Sequence, residues 1–405
     1  MVLSSISQEL RNLKNPLYRN SLYISLASVT TAIAGFLFWM IAAKLYPADE
    51  VGVASAIVSA INLIFTLSML GMNFAIIRFY PEYEKKTAGT ALILTPLAAL
   101  IFSIIYGIVI NRTESLSSTF TQEFFIIFVF FSVIGTLYNV FSIYAIARRK
   151  AEHSFVQSLL FSLRFMFLIL LVPFGVIGIV GSFGLGLLLG LIYALIFIDR
   201  VVIKLDRDFL KEAFRFSLGN YMANIANIAP NYIMPMIVLT MLGKEEAAYY
   251  YMAFAIGNMI LLIPNSINMS FFVEGSHGIN NFRKTLRRII SVSYVYLTIA
   301  NVGVWFLGEF VLRFFGEGYI NGIGLLRLIT LAGFFVVLVN FSITVLNVQK
   351  RVKEIVAITI FKAVLFLGSS YVLIPLFGIE GVGWGWIAAY TSALGMLLWL
   401  IKEEI

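Results

Sequence analysis

Cysteine is absent from this 405-residue chain, and histidine is nearly so, with only His153 and His277. The first absence excludes a disulfide framework, a thiolate metal site and cysteine nucleophilic chemistry. The second makes an HExxH zinc site or a histidine triad implausible, since both histidines lie beside basic loop residues. Charge is scarce too: 12% of residues are charged, against about 25% in an ordinary soluble domain. Apolar residues make up 60%. A soluble fold of this size needs a more charged surface, so a soluble protein is excluded.

Long apolar runs are what the chain does have. A run of about 20 residues crosses roughly 30 Å of hydrocarbon as a helix. Twelve such spans are predicted, near 21–45, 51–77, 88–110, 124–146, 154–175, 179–198, 216–241, 247–272, 289–312, 322–347, 354–376 and 381–401. The first run, from Ser21 to Tyr46, exceeds the roughly 7–15 residues of a signal-peptide core and reads as a membrane helix. Only helices satisfy their backbone within one segment in lipid, so the expected fold is all-α and polytopic.

The net charge is +8. Here the basic excess orients helices rather than binding nucleic acid, so no nucleic-acid partner is expected. Of 29 Lys and Arg residues, 22 fall at one set of loops and ends and five at the other. The positive-inside rule places the larger set, and both termini, in the cytoplasm of a multi-pass cell-membrane protein. The outer loops are short and hold no inserted domain. Asn111-Arg112-Thr113 matches a glycosylation sequon, a weak signal.

The chain also repeats. A shift of 196 places Arg11 on Arg207, Arg19 on Arg215, Glu50 on Glu246 and Asn62 on Asn258. A shift of 202 pairs Arg148, Arg149 and Glu152 with Lys350, Arg351 and Glu354, and one of 203 pairs Gly175 and Gly178 with Gly378 and Gly381. Two six-helix bundles are expected, 1–199 and 200–405, in the same orientation about an axis along the membrane normal. Such bundles can rock around a central cavity. A duplication without moving parts would leave the same trace.

Two charges fall deep within spans, Arg164 in the fifth and Lys362 in the eleventh. Each lies roughly 13–15 Å from the helix end, and no Asp or Glu is found at that depth. They either face a wet cavity that attracts an anion or snorkel to the interface. On the seventh span Asn220, Asn224, Asn227 and Asn231 fall within about 60° of arc. Asn62 and Asn258 lie on the second and eighth spans. Amides donate and accept, which suits sugar hydroxyls, but they also bond helix to helix. Pro230, Pro235 and Pro264 are expected to kink the seventh and eighth spans. Arg78, in Ile-Ile-Arg-Phe-Tyr-Pro, either guards a cytoplasmic mouth or anchors its helix.

The segments Asn15-Pro16-Leu17-Tyr18-Arg19-Asn20-Ser21, Phe38 to Tyr46 and Glu50-Val51-Gly52 resemble the O-antigen and polysaccharide flippases. So do Gly71-Met72-Asn73 through Arg78 and the glycine-rich stretches 175–184 and 378–385. These flippases belong to the multidrug/oligosaccharidyl-lipid/polysaccharide exporter superfamily. The resemblance implies two six-helix bundles around a cationic cavity. It implies translocation of polyprenyl-(pyro)phosphate-linked oligosaccharide from the cytoplasmic to the outer leaflet, without covalent chemistry or a cofactor. Arg164 and Lys362 would meet phosphate, the Asn faces would meet sugar, and Arg78 would lie near the inner mouth. Partners would be membrane lipids and glycan-assembly proteins such as glycosyltransferases. A multidrug/ion antiporter of the same superfamily and a membrane-embedded glycan polymerase or ligase are the alternatives. The first would carry a buried carboxylate, and the second an acid, base or nucleophile on the outer side.

Overall fold

The computed structural model describes residues 16–111, 121–198, 201, 203–276, 281–349 and 351–402, and these are all-α with no strand among them. In chain order α1 (Pro16–Leu45), α2 (Ala48–Ser68), α3 (Met72–Tyr83), α4 (Lys85–Asn111) and α5 (Gln122–Ala147) come first. They are followed by α6 (Ala151–Ser162), α7 (Arg164–Leu170) and α8 (Gly175–Phe197). The second half holds α9 (Arg207–Leu242), α10 (Lys244–Ser276), α11 (Phe282–Arg313), α12 (Ile323–Val348), α13 (Val352–Phe377) and α14 (Glu380–Lys402). Among the described residues eleven stretches are long and apolar enough to cross a bilayer, with α2–α3 and α6–α7 each counted as one; α14 follows them as a twelfth helix. The chain is a multi-pass membrane protein. Residues 112 and 113 of the sequon lie outside the described residues.

Two spans that read as continuous are broken. Between α2 and α3 the chain turns at Leu70 and Gly71, with φ of 49° and 80°. Between α6 and α7 it turns at Leu163, where the Leu163 amide bonds the Leu160 carbonyl at 3.1 Å. Neither turn contains proline, so hydropathy alone does not expose it.

The residues cluster into two compact units. One holds the chain up to Tyr46 with Ile57–Tyr221, the other Pro47–Ala56 with Met222 onward. In the first unit, α6 packs on α1 and α8, and α5 on α4 and α8. Met72, Ile76, Phe79, Val140 and Phe209 share one buried cluster. In the second, α14 packs on α12 and α13, with Val339, Leu346, Ile358, Ala393 and Leu397 buried together. Gly52 of α2 lies in this second unit, where a Cβ would overlap the Lys244 carbonyl oxygen and reach within 3.0 Å of the Ala248 amide nitrogen. Glycine at 52 therefore lets α2 and α10 touch backbone to backbone. Ala248 is the position equivalent to Gly52 under the shift of 196.

The helix ends set the register of the repeat. Ala48 and Lys244 open α2 and α10 at the shift of 196. Gly175 and Gly378, at φ of 54° and 59°, make equivalent turns at the shift of 203. Gln122/Ile323, Ala147/Val348 and Ala151/Val352 put α5–α6 and α12–α13 at a shift of 201, so the pairing of Arg148 with Lys350 is corrected by one residue. Clustered loop charges match in either register, whereas helix ends match in one.

The loop entering α9 is held to α4. Asp206 Oδ1 accepts from the Phe209 amide at 3.0 Å, capping α9, and Oδ2 pairs with Lys86 at 3.2 Å. The Asp206 amide donates to Thr90 Oγ1 at 3.0 Å. The Phe209 N–H, and then Lys86, hold the Asp206 carboxyl below the usual carboxylate range.

Candidate functional site

The second unit encloses a cavity of about 540 Å³. Asparagine falls on the same side of several helices here. α9 contributes Asn224, Asn227 and Asn231; α10 contributes Asn258, Asn265 and Asn268; α12 contributes Asn340, Thr344 and Asn347. Thr359 and Lys362 of α13 and Trp386 and Tyr390 of α14 complete the polar wall. Lys362 is its only charged side chain among the described residues.

Lys362 is 6% exposed. Its ammonium donates to Asn227 Oδ1 at 3.2 Å and to the Tyr390 hydroxyl at 3.5 Å, and lies 4.8 Å from the centre of the Tyr390 ring. An ammonium has three donors, so one N–H has no partner among the described residues. Because Asn227 spends its carbonyl on Lys362, its NH₂ remains available. Asn268 donates to the Asn340 backbone carbonyl at 3.4 Å, and the Asn340 side-chain amide donates to Asn265 Oδ1 at 3.2 Å. This wall can surround an anion with donors at one place and bond neutral hydroxyls elsewhere.

The first unit holds a second cavity, of about 510 Å³. It is lined by Ser28 and Thr31 of α1, Asn62 and Phe65 of α2, and Tyr138, Asn139 and Ser142 of α5. Ser154, Ser158 and Phe161 of α6 and Phe183 of α8 complete it. The two cavities occupy equivalent places in the repeat: Asn62 answers to Asn258, Asn139 to Asn340, Ser158 to Thr359 and Phe183 to Trp386. Where the second unit has Lys362, the first has Phe161.

Arg164, 3% exposed, is buried inside the first unit but does not line this cavity. Its guanidinium carbon lies 3.7 Å from the centre of the Phe161 ring, with Phe38 at 5.3 Å and Phe183 at 5.7 Å. Nη1 donates to the Phe161 carbonyl at 3.4 Å. Phe161 and Phe183 thus carry the cation on one side and belong to the cavity wall on the other.

The remaining residues expected from sequence divide. Asn224, Asn227, Asn231 and Asn258 come together around Lys362, and Asn62 lies in the other cavity. Asn220 is exposed and lines neither. Arg78 has a side chain 57% exposed, paired with Glu82 one turn on at 3.8 Å, and lines neither. Asn268, Asn340 and Asn347 join the wall without having been singled out in the sequence. The signal was there in spacing: Asn268 follows Asn265 by three residues and Asn347 follows Asn340 by seven, which puts each pair on one helix face.

The family model described as polysaccharide biosynthesis protein matches residues 17–272, more than half of the chain. The chain belongs to that family. No curated protein matches it. Among solved structures this polysaccharide biosynthesis family member superposes on lipid II flippase MurJ, inward closed, with a TM-score of 0.70 at 18% identity, covering 94% of this chain and 87% of that one. An inward-facing multidrug resistance MATE family transporter of the MOP superfamily gives 0.69 at 16% identity, covering 94% and 97%. An outward-facing MATE transporter gives 0.58 at 16%, covering 93% and 94%. At these identities the likeness establishes a shared fold.

Proposed function

We propose that this family member is a flippase that moves polyprenyl-(pyro)phosphate-linked oligosaccharide from the cytoplasmic to the outer leaflet by alternating access, for cell-surface glycan assembly. The observation that carries the reading is Lys362, a buried cation in an asparagine-lined cavity with no Asp or Glu among its described lining residues. A buried charge is costly in a membrane protein and is retained where it meets an opposite charge. The cargo supplies that charge as phosphate, and the amides replace water around its sugar hydroxyls. At about 540 Å³ the cavity is the size of a small-ligand site. The lipid tail stays in the bilayer. Membership of a polysaccharide biosynthesis family and the fold shared with lipid II flippase MurJ support the same cargo class. An exporter of organic cations would want a carboxylate where Lys362 stands.

The test is translocation of a fluorescent polyprenyl-phosphate oligosaccharide in proteoliposomes, with and without ion gradients. The flippase reading expects protein-dependent transfer of the glycan to the far leaflet. A protein that moves only organic cations, or forms glycosidic bonds, overturns it. The orientation is checked separately. The chain has no cysteine, so Lys284→Cys and Glu317→Cys each introduce a unique thiol, expected to label from the cytoplasmic and outer sides respectively.

A further inference from the structure

We infer that the cavity of the first unit is a second, charge-free binding site that takes a neutral oligosaccharide moiety and rejects phosphate. The inference shares with the proposed function only the idea that glycan is the cargo. It rests on a wall of neutral polar and aromatic groups with no charged side chain among the described lining residues. Asn62 donates its NH₂ to the Val58 carbonyl at 2.8 Å, and Asn139 donates to the Gly135 carbonyl at 3.1 Å. Ser28 donates to the Ile24 carbonyl at 3.0 Å, and Ser158 to the Ser154 carbonyl at 3.0 Å. A serine hydroxyl has a single hydrogen, so Ser28 and Ser158 offer lone pairs; Asn62 and Asn139 each offer a carbonyl oxygen and a second N–H, and Thr31 and Tyr138 add hydroxyls. The asparagine oxygens take no hydrogen bond from the described residues.

A wall of neutral donors and acceptors with no charged side chain selects neutral polyhydroxy ligands. Sugar hydroxyls and N-acetyl groups both donate and accept and so match it, whereas a phosphate dianion would be desolvated there with no counter-charge to offset the cost. The cation that could have reversed this preference, Arg164, lies against the ring of Phe161 at 3.7 Å and outside the lining. Tyr138, Phe161 and Phe183 add aromatic surface, on which the C–H faces of a pyranose can pack. The same scaffold position that is Lys362 in the second unit is Phe161 here, so duplicated cavities have diverged into an anion-binding and a neutral one.

The test is equilibrium binding to the full-length protein in detergent micelles, with two probes: chitotetraose, which carries no phosphate or lipid, and inorganic pyrophosphate. Asn139→Leu should weaken chitotetraose by roughly five- to tenfold and leave pyrophosphate unchanged. Ser28→Ala, a small change at an exposed position, should weaken chitotetraose by about two- to threefold and guards against misfolding of the first variant. Lys362→Met should reverse the pattern, losing pyrophosphate and keeping most chitotetraose binding. Wild-type affinity for chitotetraose in both first-unit variants, no saturable chitotetraose binding at all, or joint loss of both probes in Asn139→Leu overturns the inference. Binding is read without translocation, so a protein that fails to flip lipid-linked glycan yet shows this split loses the flippase reading and keeps the neutral site.

Discussion

Lys362→Met separates a cargo-binding cation from a structural one. Methionine keeps the length and much of the volume of lysine, so the cavity wall is preserved and the charge is removed. In the folded protein Lys362 is 6% exposed and its partners are neutral, Asn227 and Tyr390. Two neutral partners compensate poorly for desolvating an ammonium. The variant should therefore melt no lower than the wild type. Binding should change in the opposite sense. An ammonium about 4 Å from a phosphate attracts it by about 4 kcal/mol at an effective dielectric of about 20. Desolvation of the phosphate offsets part of this, and charge-assisted hydrogen bonds net about 1.5–3 kcal/mol. Affinity for a polyprenyl-phosphate oligosaccharide should fall by roughly 10- to 150-fold. The salt dependence of binding should flatten with it, since the lost contribution is the one that ions screen. Titration in detergent at low and high salt, beside a thermal melt, reads both quantities. Unchanged affinity in a variant that melts normally would refute the assignment, as would a large fall in melting temperature with affinity intact.

Arg164→Met should behave differently. Its guanidinium stacks on Phe161 and touches the Phe161 carbonyl, and cation–π contacts are worth about 0.5–2 kcal/mol, so the melting temperature should fall while phosphate affinity changes by less than in Lys362→Met. Gly52→Val should cost at least about 1–3 kcal/mol, because its Cβ overlaps the Lys244 carbonyl and the backbone there cannot yield; the readout is yield and melting temperature in detergent. Asp206→Ala removes the α9 cap and the Lys86 pair and should destabilise by about 1 kcal/mol at neutral pH. Because the native carboxyl titrates below its unfolded value, the stabilisation is complete above roughly pH 4 and is lost as pH falls through the lower native value. The difference in melting temperature between wild type and Asp206→Ala should therefore shrink on acidification.

Which of these features the sequence discloses follows from the range of the signal. Hydropathy is local, so the all-α class and the eleven stretches long and apolar enough to cross a bilayer among the described residues were readable, and the twelfth expected span is a helix, α14. Periodicity along one helix is nearly as local, and Asn224, Asn227 and Asn231 do share the face that lines the cavity. Asn220 belongs to the same stripe but sits a turn before the cavity begins, because a stripe marks a face and carries no information on where along it a neighbour stops. Asn268, Asn340 and Asn347 sit on two other helices, and only tertiary packing reveals that they converge. That Arg164 and Lys362 are buried agrees with their place inside apolar spans, but the side each faces was not readable. Lys362 turns to its cavity, and Arg164 lies against aromatic rings three residues beyond the equivalent position.

That three-residue offset is the point on which the two halves differ chemically. At a shift of 201, Lys362 corresponds to Phe161, and Arg164 follows Phe161 by one helical turn, across the break at Leu163. A cation at 161 would face the cavity, as Lys362 does. At 164 it is set behind the wall, where Gly186 makes room for it: a Cβ there would come within 2.8 Å of Arg164 Cβ. Both halves therefore bury one basic residue, yet only one of the two lines its cavity. The consequence runs against a simple count of charges, in which two midplane cations make two phosphate contacts. One cavity cation suits a cargo whose charge is concentrated at one end, with the uncharged remainder bound by amides and hydroxyls. A lipid-linked oligosaccharide has that distribution. Phe161→Lys is the corresponding gain-of-charge experiment: it should confer pyrophosphate binding on the first unit in a Lys362→Met background while weakening chitotetraose, and failure to do so would mean that the wall residues, rather than position 161, decide what the cavity accepts.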